Sequence, residues 1–144
     1  MTVRRLNHEE KTQACELAWR VFSRFEAPEY PPEGVEEFRR FLDDRAFISR
    51  MPMYGAFDGG RLVGMLAMRE PRHISLFFVE AECQGRGVGR RLFERMKRDY
   101  AKQVFTVHSA PRAVGFYRRL GFAPLGEERV SNGIRYVPMR YGEE

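Results

Sequence analysis

The sequence predicts an α+β fold, because the chain contains both helical and strand-like patterns and most of the strand-like ones lie in its second half. Apolar residues recur at helical spacing up to residue 42, and apolar runs typical of strands begin after Pro52. In the second half, strands alternate with two further helices. With 144 residues, of which 43% are hydrophobic, the chain can build one core but not two. We therefore expect a single domain over residues 1–144.

The first third is expected to contain one short strand and two helices. "TVRRL" is typical of a strand, and Asn7 follows it with Glu10 three residues on, close to a capping box. The apolar spacing predicts a helix from about His8 to Phe25. Three prolines and a glycine in "EAPEYPPEG" then form a loop, after which a second amphipathic helix runs through Val35–Leu42.

The remaining elements follow in a fixed order. "MYGAF" and "RLVGMLAMR" flank the hairpin turn "DGG", and "HISLFFV" continues as a third strand. A helix begins within "CQGRGVGRRLFERM", "QVFTVHSA" is a strand, and "PRAVGFYRRL" is a short helix that ends at Gly121. "ERVSNGIRYVPMRY" is predicted as a terminal hairpin.

The overall charge suits an anionic ligand without identifying one. Twenty-five Lys and Arg against 20 Asp and Glu give a net charge of +5, which is equally compatible with nucleic acid or simple solubility. Two cysteines without a CxxC pair and three scattered histidines predict neither a metal site nor a disulfide framework. Because neither a signal peptide nor an apolar run of roughly 18 residues is present, we expect a cytoplasmic protein with no membrane partner.

Three glycines at alternate positions, Gly85, Gly87 and Gly89, lie where a helix follows a strand. Each would cost an ordinary helix roughly 0.5–1 kcal/mol relative to alanine. The start of a helix offers unpaired N–H groups and a partial positive charge, and glycine leaves those groups accessible. The three glycines therefore indicate a backbone surface for a phosphate or pyrophosphate.

Two well-known phosphate motifs do not fit this stretch. A dinucleotide fingerprint would need a small residue where Arg90 stands, and about twenty residues on it would need an acid where Phe105 stands. A P-loop would need Gly-Lys-Ser/Thr, which the chain lacks. The pattern that remains, Gln84-x-x-Gly87-x-Gly89, resembles the acyl-CoA-binding motif of the GNAT family of N-acetyltransferases.

A second segment, "SAPRAVGFYRRLGF", resembles the later conserved region of the same family. The resemblance implies an α/β three-layer arrangement: a central mixed, mostly antiparallel sheet, splayed between its fourth and fifth strands and flanked by helices. It also implies direct acetyl transfer from acetyl-CoA to a primary amine of a small molecule or peptide, through a ternary complex. No metal is implied, and the enzyme would be a monomer or homodimer.

The resemblance also implies which residues contact acetyl-CoA. Backbone groups of Phe77 and Val79 would hold the pantetheine and polarise the thioester carbonyl, and Tyr117 would act on the departing thiolate as its acid or hydrogen-bond donor. Relatives often have asparagine at the position of His108, so the role of His108 stays open. The full implied set is Phe77, Phe78, Val79, Gln84, Gly85, Arg86, Gly87, Val88, Gly89, Arg90, Ser109, Ala113, Phe116 and Tyr117.

The acceptor amine must lose a proton before it reacts. Presenting an alkylamine of pKa near 10.4 uncharged at neutral pH costs roughly 4.6 kcal/mol, so a base or water chain is expected. His73, at the start of the strand that would meet the thioester, is the candidate, with Glu70 and Glu80 behind it. In the loop between the first two helices, Glu26 and Tyr30 are predicted to contact a cationic acceptor, although a polar surface loop explains them equally well.

Two alternative functions stay open at this point. One is a CoA-binding sensor without catalysis. The other is a basic nucleic-acid-binding module, because seven Lys or Arg lie between Gln84 and Lys102 against two acids. No nucleic-acid recognition motif accompanies that helix, so we expect no nucleic-acid partner.

Overall fold

The computed structural model describes residues 1–143, within which there are five α-helices and eight strands. The helices are α1 (Glu10–Phe25), α2 (Pro32–Asp43), α3 (Arg45–Arg50), α4 (Val88–Lys97) and α5 (Val114–Leu120). The strands are β1 (Thr2–Arg5), β2 (Met53–Asp58), β3 (Arg61–Arg69), β4 (His73–Val79), β5 (Phe105–Ser109), β6 (Phe122–Pro124), β7 (Arg129–Ser131) and β8 (Ile134–Tyr141). No helix in the described range is long and apolar enough to cross a membrane.

The strands form one mixed sheet in the order β1-β2-β3-β4-β5-β8-β6, with β7 paired to β8. Every pairing is antiparallel except that of β4 with β5. These two parallel strands pair only at His73 with Thr106 and at Ile74 with Val107. Beyond Ile74 they separate, so the predicted sheet, splayed between its fourth and fifth strands, is confirmed.

A β-bulge lies where β4 leaves β5. On the β3 side, Ala67 pairs with Leu76 but the next residue, Met68, pairs with Ile74, so Ser75 is an extra residue in β4. Such a bulge bends its strand and increases the local twist. The bulge therefore turns the second half of β4 away from β5.

Helices cover both faces of the sheet and complete three layers. On one face α1, α2 and α3 pack over a core that includes Leu17, Met65 and Leu76. On the other, α4 and α5 pack over a core that includes Phe93 and Phe105. Because the two cores flank the same strands, the opening between β4 and β5 lies between helical layers.

Most of the elements predicted from sequence are confirmed, with two omissions. The capping box is present, since Asn7 Oδ1 accepts from the Glu10 N–H and Glu10 Oε1 accepts from the Asn7 N–H, both at 2.9 Å. The short helix α3 was not predicted; the signal for it in the sequence was Asp44, which accepts a capping hydrogen bond from the Phe47 N–H at 3.1 Å. Strand β6 was not predicted either, because its three residues are too few to show an alternating pattern.

The contact between α4 and α5 depends on Gly89. A Cβ built on Gly89 would lie 2.7 and 2.9 Å from two ring carbons of Phe116. One residue on, Arg90 donates a hydrogen bond from its guanidinium to the Arg119 carbonyl at 2.8 Å. Gly89, expected only to expose backbone to a ligand, therefore also has a packing role.

We expect Gly89→Ala to destabilise the protein although alanine favours helices. The Phe116 ring must move, at a cost of about 1–3 kcal/mol, against a helix-propensity gain of about 0.5–1 kcal/mol. Gly115→Ala in α5 is the matched control, because its Cβ would approach nothing closer than the Arg119 guanidinium at 3.4 Å. Urea unfolding should show opposite signs for the two variants, and equal stabilisation by both would contradict this packing role.

Candidate active site

A cleft of about 320 Å³ opens where β4 and β5 separate, and we refer to it as the β4–β5 cleft. Its walls come from α1, α2 and their connecting loop, from β4, from the segment after β5, and from the β7–β8 hairpin. Seven residues predicted for the site line it: Glu26, Tyr30, His73, Phe77, Phe78, Ala113 and Tyr117. The cleft therefore unites the predicted acceptor residues with part of the predicted cofactor set.

The glycine loop lies beside this cleft at the start of α4. Gly89 connects the two, because its Cβ position is 3.7 Å from the Phe77 ring as well as in contact with Phe116. Phe116 in turn packs edge-on against Phe77, with ring centroids 5.3 Å apart. A ligand that extends from the glycine loop into the cleft would thus pass over one continuous packed surface.

Gly85 and Gly87 leave the backbone at the N-terminus of α4 free of side chains. Their φ angles are +76° and +82°, a conformation that side chains disfavour, and a Cβ at either would meet no atom within 4 Å. The first helical hydrogen bond runs from the Arg91 N–H to the Gly87 carbonyl at 3.1 Å, so the N–H groups before it have no partner within the helix. An anionic group such as a pyrophosphate fits this surface.

Polar side chains around the loop hold it in place. Gln84 Nε2 donates to the Val79 carbonyl at 2.9 Å and so ties the loop to the end of β4. Arg86 is exposed, whereas Arg90 already bonds the end of α5. Since a guanidinium has five N–H donors, both arginines retain donors for phosphate oxygens. Val88 is buried, and only its backbone can face a ligand.

Tyr117 lies in the cleft within an aromatic cluster. Its ring packs edge-on against Phe77, Phe116 and Phe122 at centroid distances of 6.0, 5.3 and 5.3 Å, and it is 6% exposed. Burial, followed by the nearby charge of Glu26, raises its pKa far above the ordinary value of a phenol. The hydroxyl is therefore a proton-bearing hydrogen-bond donor at neutral pH.

The rings of His73 and His108 are in contact at the end of β4 and β5 where the two strands pair. His73 contacts His108 edge-on at 4.7 Å, and His108 stacks on Tyr136 at 4.2 Å. Nδ1 of His73 lies 2.8 Å from Thr106 Oγ1. Burial, with the charge of Arg69, lowers the pKa of His73 to about 4, so this ring is neutral at pH 7.

The two carboxylates expected behind His73 are not part of the cleft. Glu80 is 2.7 Å from the Arg20 guanidinium in an ion pair, and Glu70 is an exposed residue of the β3–β4 turn. The Ser109 side chain is not available to a ligand either, because the residue is 1% exposed and its Oγ donates to the Ala110 carbonyl at 2.8 Å. Its hydroxyl stabilises the turn after β5.

Glu26 differs from Glu29, the other acid between α1 and α2. Glu29 forms ion pairs with Arg112 at 3.2 Å and Arg135 at 3.9 Å, whereas the Glu26 side chain has neither a hydrogen bond nor an ion pair within residues 1–143. Burial, with a smaller contribution from Glu29, raises the pKa of Glu26 to about 7. The predicted acceptor loop thus places a single unpaired carboxyl group in the cleft, accompanied by Tyr30.

Several cleft residues had no sequence motif to mark them. Arg69 lies opposite His73 across the β3–β4 pairing, and Asn132, Arg135 and Tyr136 come from the β7–β8 hairpin. Only the sheet topology brings these positions together. Within the described residues, no group of three or more His, Cys, Asp or Glu side chains could hold a metal ion.

Known proteins share both the fold and parts of the sequence. The solved structure of a GCN5-related N-acetyltransferase from Rhodopseudomonas palustris superposes with a TM-score of 0.83 at 20% identity, covering 99% of this chain and 95% of that one. PaiA N-acetyltransferase from Thermoplasma acidophilum, solved in complex with coenzyme A, gives 0.76 at 17% identity, covering 99% and 98%. At these identities the likeness establishes the fold alone.

Two proteins named as N-acetyltransferases are similar to this chain in sequence. The peptidyl-lysine N-acetyltransferase YjaB of Escherichia coli K12 is 28% identical over 107 residues, which are 72% of each chain. Serotonin N-acetyltransferase 2 of Oryza sativa subsp. japonica is 50% identical over 48 residues, 31% of this chain, and the match spans 24% of the rice protein. The family model for the acetyltransferase (GNAT) domain matches residues 26–142. The chain therefore belongs to the GNAT family of acetyltransferases and is an acyltransferase.

Proposed function

We propose that this enzyme transfers an acetyl group from acetyl-CoA directly to a primary amine of a small molecule or peptide, within a ternary complex. The observation that carries the proposal is the opening between β4 and β5, which joins an anion-binding helix start to a cleft containing Tyr117 and Glu26. The names of two relatives, which specify peptidyl-lysine and serotonin as acceptors, support an amine substrate.

The cofactor-binding half of the site is the glycine loop and the free edge of β4. The N–H groups at the start of α4, with Arg86 beside them, would hold the pyrophosphate. Past Ile74, the edge of β4 that faces β5 is unpaired, and an extended chain carrying amides can add to such an edge as a further strand. Backbone groups of Phe77 and Val79 would bind the pantetheine there, while their side chains stay in the core.

Tyr117 would act by hydrogen bonding rather than by full proton transfer. Acetyl-CoA supplies an activated thioester whose leaving group is a thiolate. An ordinary phenol of pKa about 10 is already a weaker acid than a thiol near 8.5, by roughly 2 kcal/mol, and burial raises the pKa of Tyr117 further. The phenol therefore keeps its proton and stabilises the thiolate by donating a hydrogen bond.

Among the described residues, four His or acidic side chains line the cleft: Glu26, Glu37, His73 and His108. Glu37 is ion-paired with Arg40, and His108 packs between the rings of His73 and Tyr136. His73 and Glu26 are therefore the candidates to take the proton of the acceptor amine. Tyr30, whose hydroxyl donates to the Arg135 carbonyl at 3.3 Å, fixes the wall beside Glu26. The amine would enter between the α1–α2 loop and the β7–β8 hairpin, because both elements line the cleft.

The amine acceptor can be sought by measuring free CoA released from acetyl-CoA in the presence of lysine peptides, polyamines and arylalkylamines. The proposed function predicts release that depends on one class of amine. Binding of acetyl-CoA without release for any amine would favour the CoA-binding sensor. Failure to bind acetyl-CoA would overturn the proposed function altogether.

Gly87→Ala is expected to weaken acetyl-CoA binding about tenfold or more, because it adds a side chain and backbone strain at the start of α4. Gly60→Ala is the matched control: Gly60 has φ +83° and an open Cβ position too, but lies in the β2–β3 turn away from the cleft. Thermal shift at increasing acetyl-CoA concentration measures both. An equal loss of affinity in the two variants would contradict a ligand role for the loop.

Tyr117→Phe is expected to lower kcat about 10²-fold, by analogy with loss of one donor to a developing negative charge. Acetyl-CoA affinity should be retained, because the ring and its packing remain. Steady-state kinetics with the best amine, together with the thermal-shift titration, separate the two effects. Turnover equal to that of the wild type would remove Tyr117 from the mechanism.

A further inference from the structure

We propose that Glu26 is the catalytic base that accepts the proton of the acceptor amine, in preference to His73. The inference rests on the proposed acetyl transfer and assigns the proton acceptor within it. Its basis is the position of Glu26 in the cleft and the way its neighbours leave its carboxylate unpaired.

Glu26 is held at the end of α1 with its backbone fixed. Its N–H donates to the Phe22 carbonyl at 2.9 Å, and its own carbonyl accepts from the Glu29 N–H at 2.9 Å. The residue lines the same cleft as Ala113 and Tyr117, and it also lies beside Ala110 and Pro111, which lead into α5. The carboxyl group therefore lies on the side of the cleft where the thiolate would form.

The two cations nearest Glu26 make their hydrogen bonds and ion pairs to groups other than Glu26. The Arg112 guanidinium donates to the Phe25 carbonyl and to Glu29, and it also lies over the Phe25 ring, 5.3 Å from its centroid. Arg135, which also borders this end of the loop, is 3.5 Å from Glu128 and 3.9 Å from Glu29.

The two uncharged ionisable groups that face Glu26 are Tyr30 and Tyr117, both phenols with raised pKa values. The carboxyl group is also at the negative end of the α1 dipole. Arg112 lowers the pKa of Glu26, but burial outweighs it and the value is about 7. Near neutral pH, part of the Glu26 population is therefore a carboxylate, and either protonation or a nearby cationic amine would stabilise that group.

His73 is less suited to receive the same proton. Its Nδ1 lies 2.8 Å from Thr106 Oγ1, which leaves only Nε2 to accept a proton, and Arg69 stands opposite it across the strand pair. The pKa of His73 is about 4 and that of Glu26 is about 7, whereas an alkylammonium has a pKa near 10.4. Proton transfer from the ammonium group to Glu26 is therefore less unfavourable than transfer to His73. A cationic amine would also be repelled by Arg69 and attracted by Glu26.

The resulting step is balanced in protons. The ammonium group gives one proton to the Glu26 carboxylate, and the neutral amine nitrogen then attacks the thioester carbonyl carbon. A C–N bond forms and the C–S bond breaks, with the thiolate hydrogen-bonded by Tyr117. The second nitrogen proton goes to the sulfur and yields the CoA thiol, after which Glu26 releases its proton to solvent.

The first test is the pH dependence of kcat/KM from pH 5 to 10 for the wild type, Glu26→Gln, His73→Asn and Glu16→Gln. Glu16 is an exposed acid on α1, outside the cleft. The wild type and Glu16→Gln should show a rise with an apparent pKa near 7. Glu26→Gln should lose about 10²-fold at pH 7 and lack that rise, its rate instead increasing up to the pKa of the amine. His73→Asn should keep the rise near 7.

A second readout needs no turnover. Because the folded pKa of Glu26 lies above that of an ordinary carboxyl group, its ionisation on going from pH 5 to pH 8 removes stability. Glu26→Gln should therefore have a higher Tm than the wild type at pH 8, and the difference should shrink below pH 5. Glu16→Gln should show no such pH-dependent difference.

Two outcomes would overturn the assignment. One is a Glu26→Gln enzyme that keeps the rise near pH 7 while His73→Asn loses it. The other is a Glu26→Gln protein whose Tm difference from the wild type does not change with pH. If instead the wild type acetylates no amine and binds no acetyl-CoA, the proposed function fails, and the Tm measurement still reports on the Glu26 carboxyl group.

Discussion

The structure depends on the short pairing of β4 with β5. These strands are held together at two residue pairs and then separate, and the separation begins at the Ser75 bulge in β4. On its other edge β4 remains bonded to β3 as far as Val79, so it cannot follow β5. An opening in the middle of a sheet would normally leave backbone groups unpaired and be filled. In this chain it is kept open and lined by the residues of the site.

The elements at both ends of the opening are fixed by contacts outside it. At the α4 end, Gly89 packs on Phe116, and Gln84 ties the glycine loop to β4. At the other end, Glu29 joins the α1–α2 loop to Arg112 and Arg135, which come from two different segments after β5. Because these contacts already hold the loops in place, less of the binding free energy is lost to ordering them when a ligand binds.

The sequence was most informative where a local pattern determines structure. The hairpin at "DGG", the capping box at Asn7 and the glycine loop all act through neighbouring residues, and each was predicted. The roles of the acids could not be predicted in the same way. Glu26 and Glu29 are three positions apart in one loop, but only Glu29 meets cations, and those cations come from segments more than eighty residues along the chain. Burial and ion pairing of this kind follow from the topology of the sheet.

The pairing of Glu29 also explains how Glu26 can remain ionisable. A buried carboxyl group without a partner is unfavourable, and Arg112 is near enough to both acids to lower the pKa of Glu26. Because the Arg112 guanidinium is held by Glu29, the Phe25 carbonyl and the Phe25 ring, its position is set by groups other than Glu26. The loop is thus anchored by one acid while its neighbour is left unpaired in the cleft. Had Arg112 paired with Glu26 instead, the ion pair would have held the Glu26 carboxylate in its charged form and left it less suited to receive a proton from an ammonium group. The loss of stability at Glu26 is of the kind that proteins accept at functional sites.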